Sequence, residues 1–219
     1  MSAAVLEAVL QSPDLPEIIQ HALGVLAAER KLREKFYADI TPEHKWEFIQ
    51  GEIIMHSPAL NRHLQANQAL FKLMESHVST QRLGTVLIEK AMTSFPRNDY
   101  EPDLMFFGLS KMGLISPDTL RFPIPDLIVE VLSPSTEHRD RGIKFEDYAL
   151  HGVGEYWIVD TVAETVELYR LEGSSYPPVA AQTDGLLSSA VIPGFEMPVR
   201  AIFDSAVNAE AMRRIWNQE

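Results

Sequence analysis

Apolar residues along the chain repeat at two spacings, one helical and one extended, and stretches of the two kinds alternate. From Asp14, with Pro16 and Glu17 in a first turn, Ile18, Ile19, Ala22, Leu23, Val25 and Leu26 form a stripe at helical spacing. This predicts a helix capped by Asp14 and running to about Tyr37, apolar early and charged late. Such an appended helix would pack on the core or on another subunit. Residues 1–13 are small and mixed, and are expected to be frayed or partly helical. Trp46, Phe48, Ile53, Ile54 and Met55 flank Gln50-Gly51, the pattern of a short hairpin with glycine in the turn. A helix is expected over residues 59–77, where Leu64, Leu70, Phe71, Leu73 and Met74 are apolar but the early part is polar.

Residues 83–95 read as one strand, 96–100 as a loop, 101–107 as a strand and 108–119 as a loop. The run D-L-I-V-E-V-L at 126–132 is nearly all apolar, which suits an inner strand covered on both faces. Asp140 is expected to cap a short helix to about Leu150, ended by Gly152 and Gly154. Residues 155–160 read as a second inner strand, and 164–171 as an alternating, antiparallel one. Residues 187–199 read as a loop with a short strand, and 205–216 as a closing helix. This order predicts an α/β (α+β) fold, a sheet flanked by helices. No G-x-G-x-x-G follows a strand, which excludes a dinucleotide fold. The expected organisation is a helical extension over 1–37, a main domain over 38–204, and a C-terminal helix over 205–219 packed on the core.

Composition narrows the function classes. The 219 residues are 46% hydrophobic, enough for a full core. There is no apolar run of membrane-spanning length and no secretory pattern at the N-terminus, so a cytoplasmic protein with no membrane partner is expected. The absence of cysteine removes disulfides and thiolate metal sites. The net charge of -12 argues against broad, non-specific binding to nucleic acid. It suits a site that recruits a divalent cation ahead of a polyanion.

Two acids stand out. Asp103 follows Pro102 at a strand edge, and Glu130 sits between valines in the apolar strand. A carboxylate there is costly unless it is paired, protonated or bound to metal. Two readings stay open. Both acids could hold Mg²⁺ or Mn²⁺ through oxygen, or Asp103 caps a turn while Glu130 pairs with a nearby base. Lys144, in the following helix, either returns to the end of Glu130's strand or is a solvated lysine beside Glu146 and Asp147. Arg139, Asp140 and Arg141 read as a solvated turn with a helix cap. Asp126 reads as fixing a strand entry, Asp160 as a turn residue and Glu52 as an exposed hairpin acid. His56 and His63 lack zinc spacing and read as ordinary polar residues. Ser133 and Ser135 lack the G-x-S-x-G elbow of a serine hydrolase. Glu155 and Tyr156 read as sheet architecture, with Trp157 in the core.

Taken in order, P-D-L at 102–104, D-L-I-V-E-V-L-S-P-S-T at 126–136, R-D-R-G-I-K-F-E-D-Y-A at 139–149 and G-V-G-E-Y-W-I-V-D at 152–160 carry a resemblance. So does E-F-I-Q-G-E-I-I-M-H-S-P at 47–58. Over residues 38–200 the chain resembles the Uma-type putative restriction endonuclease family of the PD-(D/E)XK nuclease superfamily, common in cyanobacteria. The resemblance implies a restriction-endonuclease-like core with a central mixed β-sheet. Asp103 matches the motif aspartate and Glu130 the second acid. Leu132 stands where the superfamily usually has lysine, and Lys144 looks like its replacement. The resemblance also implies metal ligation by Asp103, Glu130, the Val131 carbonyl and Glu52, with Asp103, Glu130 and Lys144 catalytic. The implied activity is Mg²⁺- or Mn²⁺-dependent endonuclease cleavage of DNA, with a homodimer expected because two strand breaks need two sites. The competing readings are a catalytically weak or inactive nucleic-acid-binding or regulatory module on the same fold, and a structural or interaction protein.

Overall fold

The structure is a computed structural model that describes residues 3–41 and 43–217. The chain divides between Met55 and His56 into two compact units.

In the first unit, α1 (Ala3–Leu10) occupies much of the stretch expected to be frayed or partly helical, and α2 (Leu15–Asp39) matches the predicted stripe. Asp14 stands at the N-cap position of α2, but its side chain does not cap. Its backbone, at φ -87° and ψ 10°, lacks the extended conformation that aims a capping oxygen at the first turn. The hairpin is β1 (Trp46–Ile49) against β2 (Glu52–Met55), antiparallel. Gln50 and Gly51 both have positive φ, 49° and 90°, as a tight hairpin turn of matching twist demands. Phe36 of α2 and Phe48 of β1 pack at 5.7 Å between ring centroids. A Cβ on Gly51 would lie 3.1 Å from Cγ of Glu29, so glycine also serves the close approach to α2.

The second unit starts with α3 (Asn61–Gln81) and is built on a five-stranded sheet. Its strands are β3 (Gly84–Ile88), β6 (Leu104–Gly108), β7 (Leu127–Val131), β8 (Glu155–Asp160) and β9 (Thr165–Arg170), side by side in that order. Between β3 and β6 lies a small hairpin, β4 (Thr93–Ser94) with β5 (Asp99–Tyr100). Only β7 and β8 run parallel, and the other neighbours are antiparallel. The crossover joining β7 to β8 carries α4 (Glu137–Asp140) and α5 (Ile143–Leu150). The chain closes with the hairpin β10 (Leu186–Ser188) and β11 (Glu196–Pro198), then α6 (Ser205–Trp216).

Strand alternation sorts the two faces of the sheet. Leu127, Val129 and Val131 of β7 join Leu104, Phe106, Trp157 and Val159 in a core closed by Leu70, Leu73 and Met74 of α3 and Ala211 and Ile215 of α6. Glu130 lies between Val129 and Val131 and so points to the opposite face, the α5 side.

Several local expectations are corrected. The single strand over 83–95 breaks after Ile88, because Glu89 and Lys90 both adopt left-handed φ, 46° and 47°. The expected loop at 96–100 contains β5. The loop after Gly108 winds into a 3₁₀ helix, Leu109–Leu114. Asp126 does fix the entry to β7: its Oδ2 accepts from the Gly108 amide at 2.7 Å, and its Oδ1 lies 2.7 Å from Nζ of Lys111. Asp160 Oδ1 accepts from the amides of Val162 and Ala163, as a turn residue should. Asp140 ends α4 and does not cap the next helix; Gly142 holds the N-cap position of α5. No helix of the described residues is long and apolar enough to cross a membrane.

Candidate active site

Asp103 lies one residue before β6 and Glu130 near the carboxyl end of β7. The register pairs Leu104 with Val129, so the two acids stand level on adjacent strands. Oδ2 of Asp103 accepts the Val131 amide at 2.9 Å, which puts one carboxylate against the backbone beside the other acid. Both are buried, at 5% and 4% exposure.

Each acid is gripped by one turn of a helix, because side chains at i and i+4 share a helix face. From α3, Nε2 of His63 lies 3.1 Å from Oδ1 of Asp103, and Nδ2 of Asn67 donates to the Asp103 carbonyl at 3.1 Å. From α5, Nζ of Lys144 and the hydroxyl of Tyr148 both donate to Oε1 of Glu130, each at 2.9 Å. Lys144 is only 1% exposed, so it is not the solvated lysine of the bland alternative. Its Nζ lies 3.3 Å from Oδ1 of Asp140 and 5.8 Å from the centroid of the Tyr100 ring. A buried ammonium is tolerable because two carboxylates and an aromatic face replace its water.

The surroundings fix these donors. Tyr156 donates through its hydroxyl to the Asp140 carbonyl at 3.0 Å. Burial pushes its phenol well above the ordinary range, and the negative charges of Glu130 and Asp140 add to this, so it remains a donor. Asp147, on α5, accepts from Nδ2 of Asn98 and from the Tyr100 hydroxyl, both at 2.8 Å, and lies 3.0 Å from Nδ1 of His151. These contacts hold the helix and the Tyr100 ring beside Lys144.

The structure thus brings Asp103, Glu130, Val131 and Lys144 together. Glu52 lies in the first unit, exposed on β2. The Arg139–Arg141 cluster does not act as a unit. Asp140 turns inward, while Arg141 clamps Glu167 with bonds of 2.9 and 2.7 Å and also binds Glu137 at 3.0 Å. The hydrogen bond from Arg141 holds the Glu167 carboxyl below its ordinary range. His63, read as an ordinary polar residue, joins the cluster, as do Asn67, Asp140 and Tyr148. Their spacing was the available signal: His63 with Asn67, and Asp140, Lys144 and Tyr148, each step four residues.

The model of the Uma2 family, described as "Putative restriction endonuclease", matches residues 33–200. The chain belongs to this family. Among solved structures it is similar to a putative nuclease of DUF820 from Anabaena variabilis, with 20% identity and a TM-score of 0.68. That similarity covers 80% of this chain and 97% of the Anabaena protein, and shows a shared fold. No curated protein matches the chain. The fold is therefore the restriction-endonuclease-like one, a mixed sheet with flanking helices, and family membership supports a nuclease.

Proposed function

We propose that this Uma2-family chain is a divalent-metal-dependent endonuclease that hydrolyses DNA phosphodiester bonds. The observation that carries the reading is the convergence of two buried carboxylates and a buried lysine at the ends of β6 and β7. Burial of three charges is costly, and perturbed, converging charges of this kind are enriched at functional sites.

The donor chemistry fits Mg²⁺ or Mn²⁺. Among the described residues no group of three His, Cys, Asp or Glu forms a cage. Mg²⁺ needs none, since it binds through one or two carboxylates, waters and substrate phosphate. Asp103 presents Oδ2 to the Val131 amide and Oδ1 to Nε2 of His63, and Glu130 presents Oε1 to Lys144 and Tyr148, so the donor set is the hard carboxylate oxygen these ions take. Asp103, Glu130 and the Val131 carbonyl would hold the ion. When bound, it would supply Lewis-acid polarisation of the phosphate.

The chain's own groups supply the rest. His63 and Asn67 orient Asp103 from its side chain and its carbonyl. Tyr148 holds Glu130 in place when Lys144 shifts from the carboxylate toward the phosphate. Lys144 stabilises the negative charge that gathers on phosphate oxygen, or orients the attacking water. Asp140 steadies the ammonium before substrate arrives.

The test is cleavage of plasmid and short duplex DNA with Mg²⁺ or Mn²⁺ by the wild type and by Asp103→Ala purified identically. Metal-dependent cleavage that vanishes in the variant is expected. Equal cleavage by both proteins would move the chemistry elsewhere. No cleavage by either would favour the alternative of a nucleic-acid-binding or regulatory module on the same fold.

A further inference from the structure

Between Glu130 and Asp140 the chain passes through S-P-S-T at 133–136 and then the single turn of α4. The Leu132 amide still donates to the Val159 carbonyl at 2.8 Å, so Ser133 stands where the chain leaves the sheet. Three residues of chain separate it from Glu130 by at most about 11 Å. This turn is rich in donors. Oγ of Ser133 lies 3.1 Å from Oγ of Ser135 and 2.9 Å from Oγ1 of Thr136. Three hydroxyls bring three O–H groups, and the two contacts engage two of them, so one is left for an outside acceptor. Arg139, half-buried, closes the same turn. Its Nη2 donates to the Ser135 carbonyl at 3.2 Å, and its Nη1 lies 3.3 Å from Nε2 of His138. Its Nε is buried and, among the described residues, has no hydrogen-bond partner.

We propose that the 133–139 turn binds a backbone phosphate of the DNA next to the one that is cleaved, with Arg139 as the cationic contact and Ser133 and Ser135 as hydroxyl donors. The proposal rests on the nuclease reading and adds to it a group that seats the substrate. Three observations favour a phosphate. First, Arg139 is a cation without an acid. Among the described residues no carboxylate lies within ion-pair distance of it, whereas Arg141 holds Glu137 and Glu167, and Lys144 holds Glu130 and Asp140. Glu137, the acid of this turn, faces Arg141 at 3.0 Å. In a chain of net charge -12, a polyanion needs such a cation close to the site. Second, the donor set is right. A guanidinium beside hydroxyls suits phosphate, and arginine can offer it two parallel bonds. Such a bond would also give Nε an acceptor, whose lack is a cost. Third, the place is right. The turn runs from the end of Glu130's strand to Asp140, which faces Lys144, so it flanks the site from one acid to the other. The alternative is that Arg139 only ties the turn through the Ser135 carbonyl, but that bond uses one of five N–H donors.

The test compares the full-length wild type with Arg139→Gln and Arg139→Lys on one labelled DNA duplex. Affinity is read by fluorescence anisotropy with Ca²⁺ between about 50 and 200 mM salt, and KM and kcat come from cleavage with Mg²⁺. Arg139→Gln is expected to weaken binding roughly tenfold and to lower the slope of log affinity against log salt by about 0.9, the share of one phosphate. KM should rise by a similar factor while kcat holds. Arg139→Lys should recover the slope, because it keeps the charge, but not the full affinity, because it cannot fork. Ser133→Ala with Ser135→Ala should weaken binding about threefold and leave the slope alone, since a hydroxyl carries no charge. Thermal melts of all variants show whether the turn still folds. A purely structural Arg139 would move the melt and not the slope, and that result would overturn the proposal. So would a fall in kcat alone, or an Arg139→Gln protein that binds with wild-type affinity and slope while the wild type cleaves; the nuclease reading would survive both. A wild type that neither binds nor cleaves DNA would overturn the nuclease reading, and the phosphate site with it.

Discussion

Two buried glutamates stand on the paired strands β7 and β8, and they are held in opposite ways. Glu155 opens β8. Its carboxylate accepts from the Ala190 amide, from the Ser189 hydroxyl at 2.7 Å and from Nε1 of Trp157 at 3.3 Å, with Nε of Arg170 at 3.3 Å. Two of those donors belong to the segment between β10 and β11, so Glu155 ties that segment to the sheet. Glu130, near the end of β7, is held at Oε1 by two side chains of one short helix, Lys144 and Tyr148. A buried acid satisfied by fixed architecture is a fastener. One satisfied by a lysine and a phenol on a helix can exchange those donors for a substrate or an ion. Burial alone does not separate an acid that only fastens from one able to exchange its donors; the identity of the donors does.

The largest expected effect tests the Glu130 side. Glu130→Gln should reduce DNA cleavage per folded molecule on the order of 10³-fold, with a fold that survives because Tyr148 can still donate and Lys144 keeps Asp140. Next comes the opposite variant. Glu155→Ala should cost about 1–3 kcal/mol in denaturant unfolding, because buried donors lose their acceptor, yet leave the cleavage rate per folded molecule unchanged. A Glu155→Ala protein of full stability and poor activity would erase the distinction between the two acids. A smaller effect is expected for Tyr148→Phe, which removes one donor to Glu130 and keeps the ring packing. The rate should fall roughly tenfold and the stability by about 1 kcal/mol.

The smallest effect is an alkaline one. Phe145, Tyr156, Tyr169 and Tyr176 form an aromatic cluster between α5 and the sheet. Tyr169 is pushed up to about 12, by burial first and then by its bond to Glu167. Tyr176 is also raised, by burial first and then by the charge of Glu155. For a group whose folded pKa is raised, the stabilisation is complete below the unfolded value, near 10 for tyrosine, and is lost as pH rises through the folded value. The denaturant midpoint should therefore fall between about pH 10 and about pH 12, and Tyr169→Phe should flatten that fall.

Much of this arrangement was legible in the sequence. The apolar run around Glu130 fixed β7 as an inner strand, and the motifs at 102–104 and 126–149 placed the family. The closing helix fell where its pattern put it, at Ser205–Trp216. Gln50-Gly51 predicted the hairpin because its turn chemistry is local. What escaped depended on contacts between distant parts of the chain. Nothing in Glu89-Lys90 announces two successive left-handed residues, since neither is glycine or asparagine. Asp140 was misread as a cap because capping is the commonest local use of an aspartate before a helix, whereas here it faces a lysine one turn on. His63 was read as ordinary because its partner, Asp103, lies 40 positions away in sequence and no zinc spacing marks it.

If Lys144 acts as proposed above, its place on α5 and not on a strand has a consequence for how the protein responds to heat. A strand residue such as Glu130 is tied into the sheet and opens only when the whole unit unfolds. Helix α5 has eight residues, too few to persist without its packing against the sheet. Its retention depends on anchors such as Asp147 with Asn98 and Tyr100, and on the aromatic cluster around Phe145. Brief detachment of this one helix would withdraw Lys144 and Tyr148 together while both carboxylates stayed in place. Activity would then be governed by a local opening equilibrium, and would decline on warming before the sheet itself gives way.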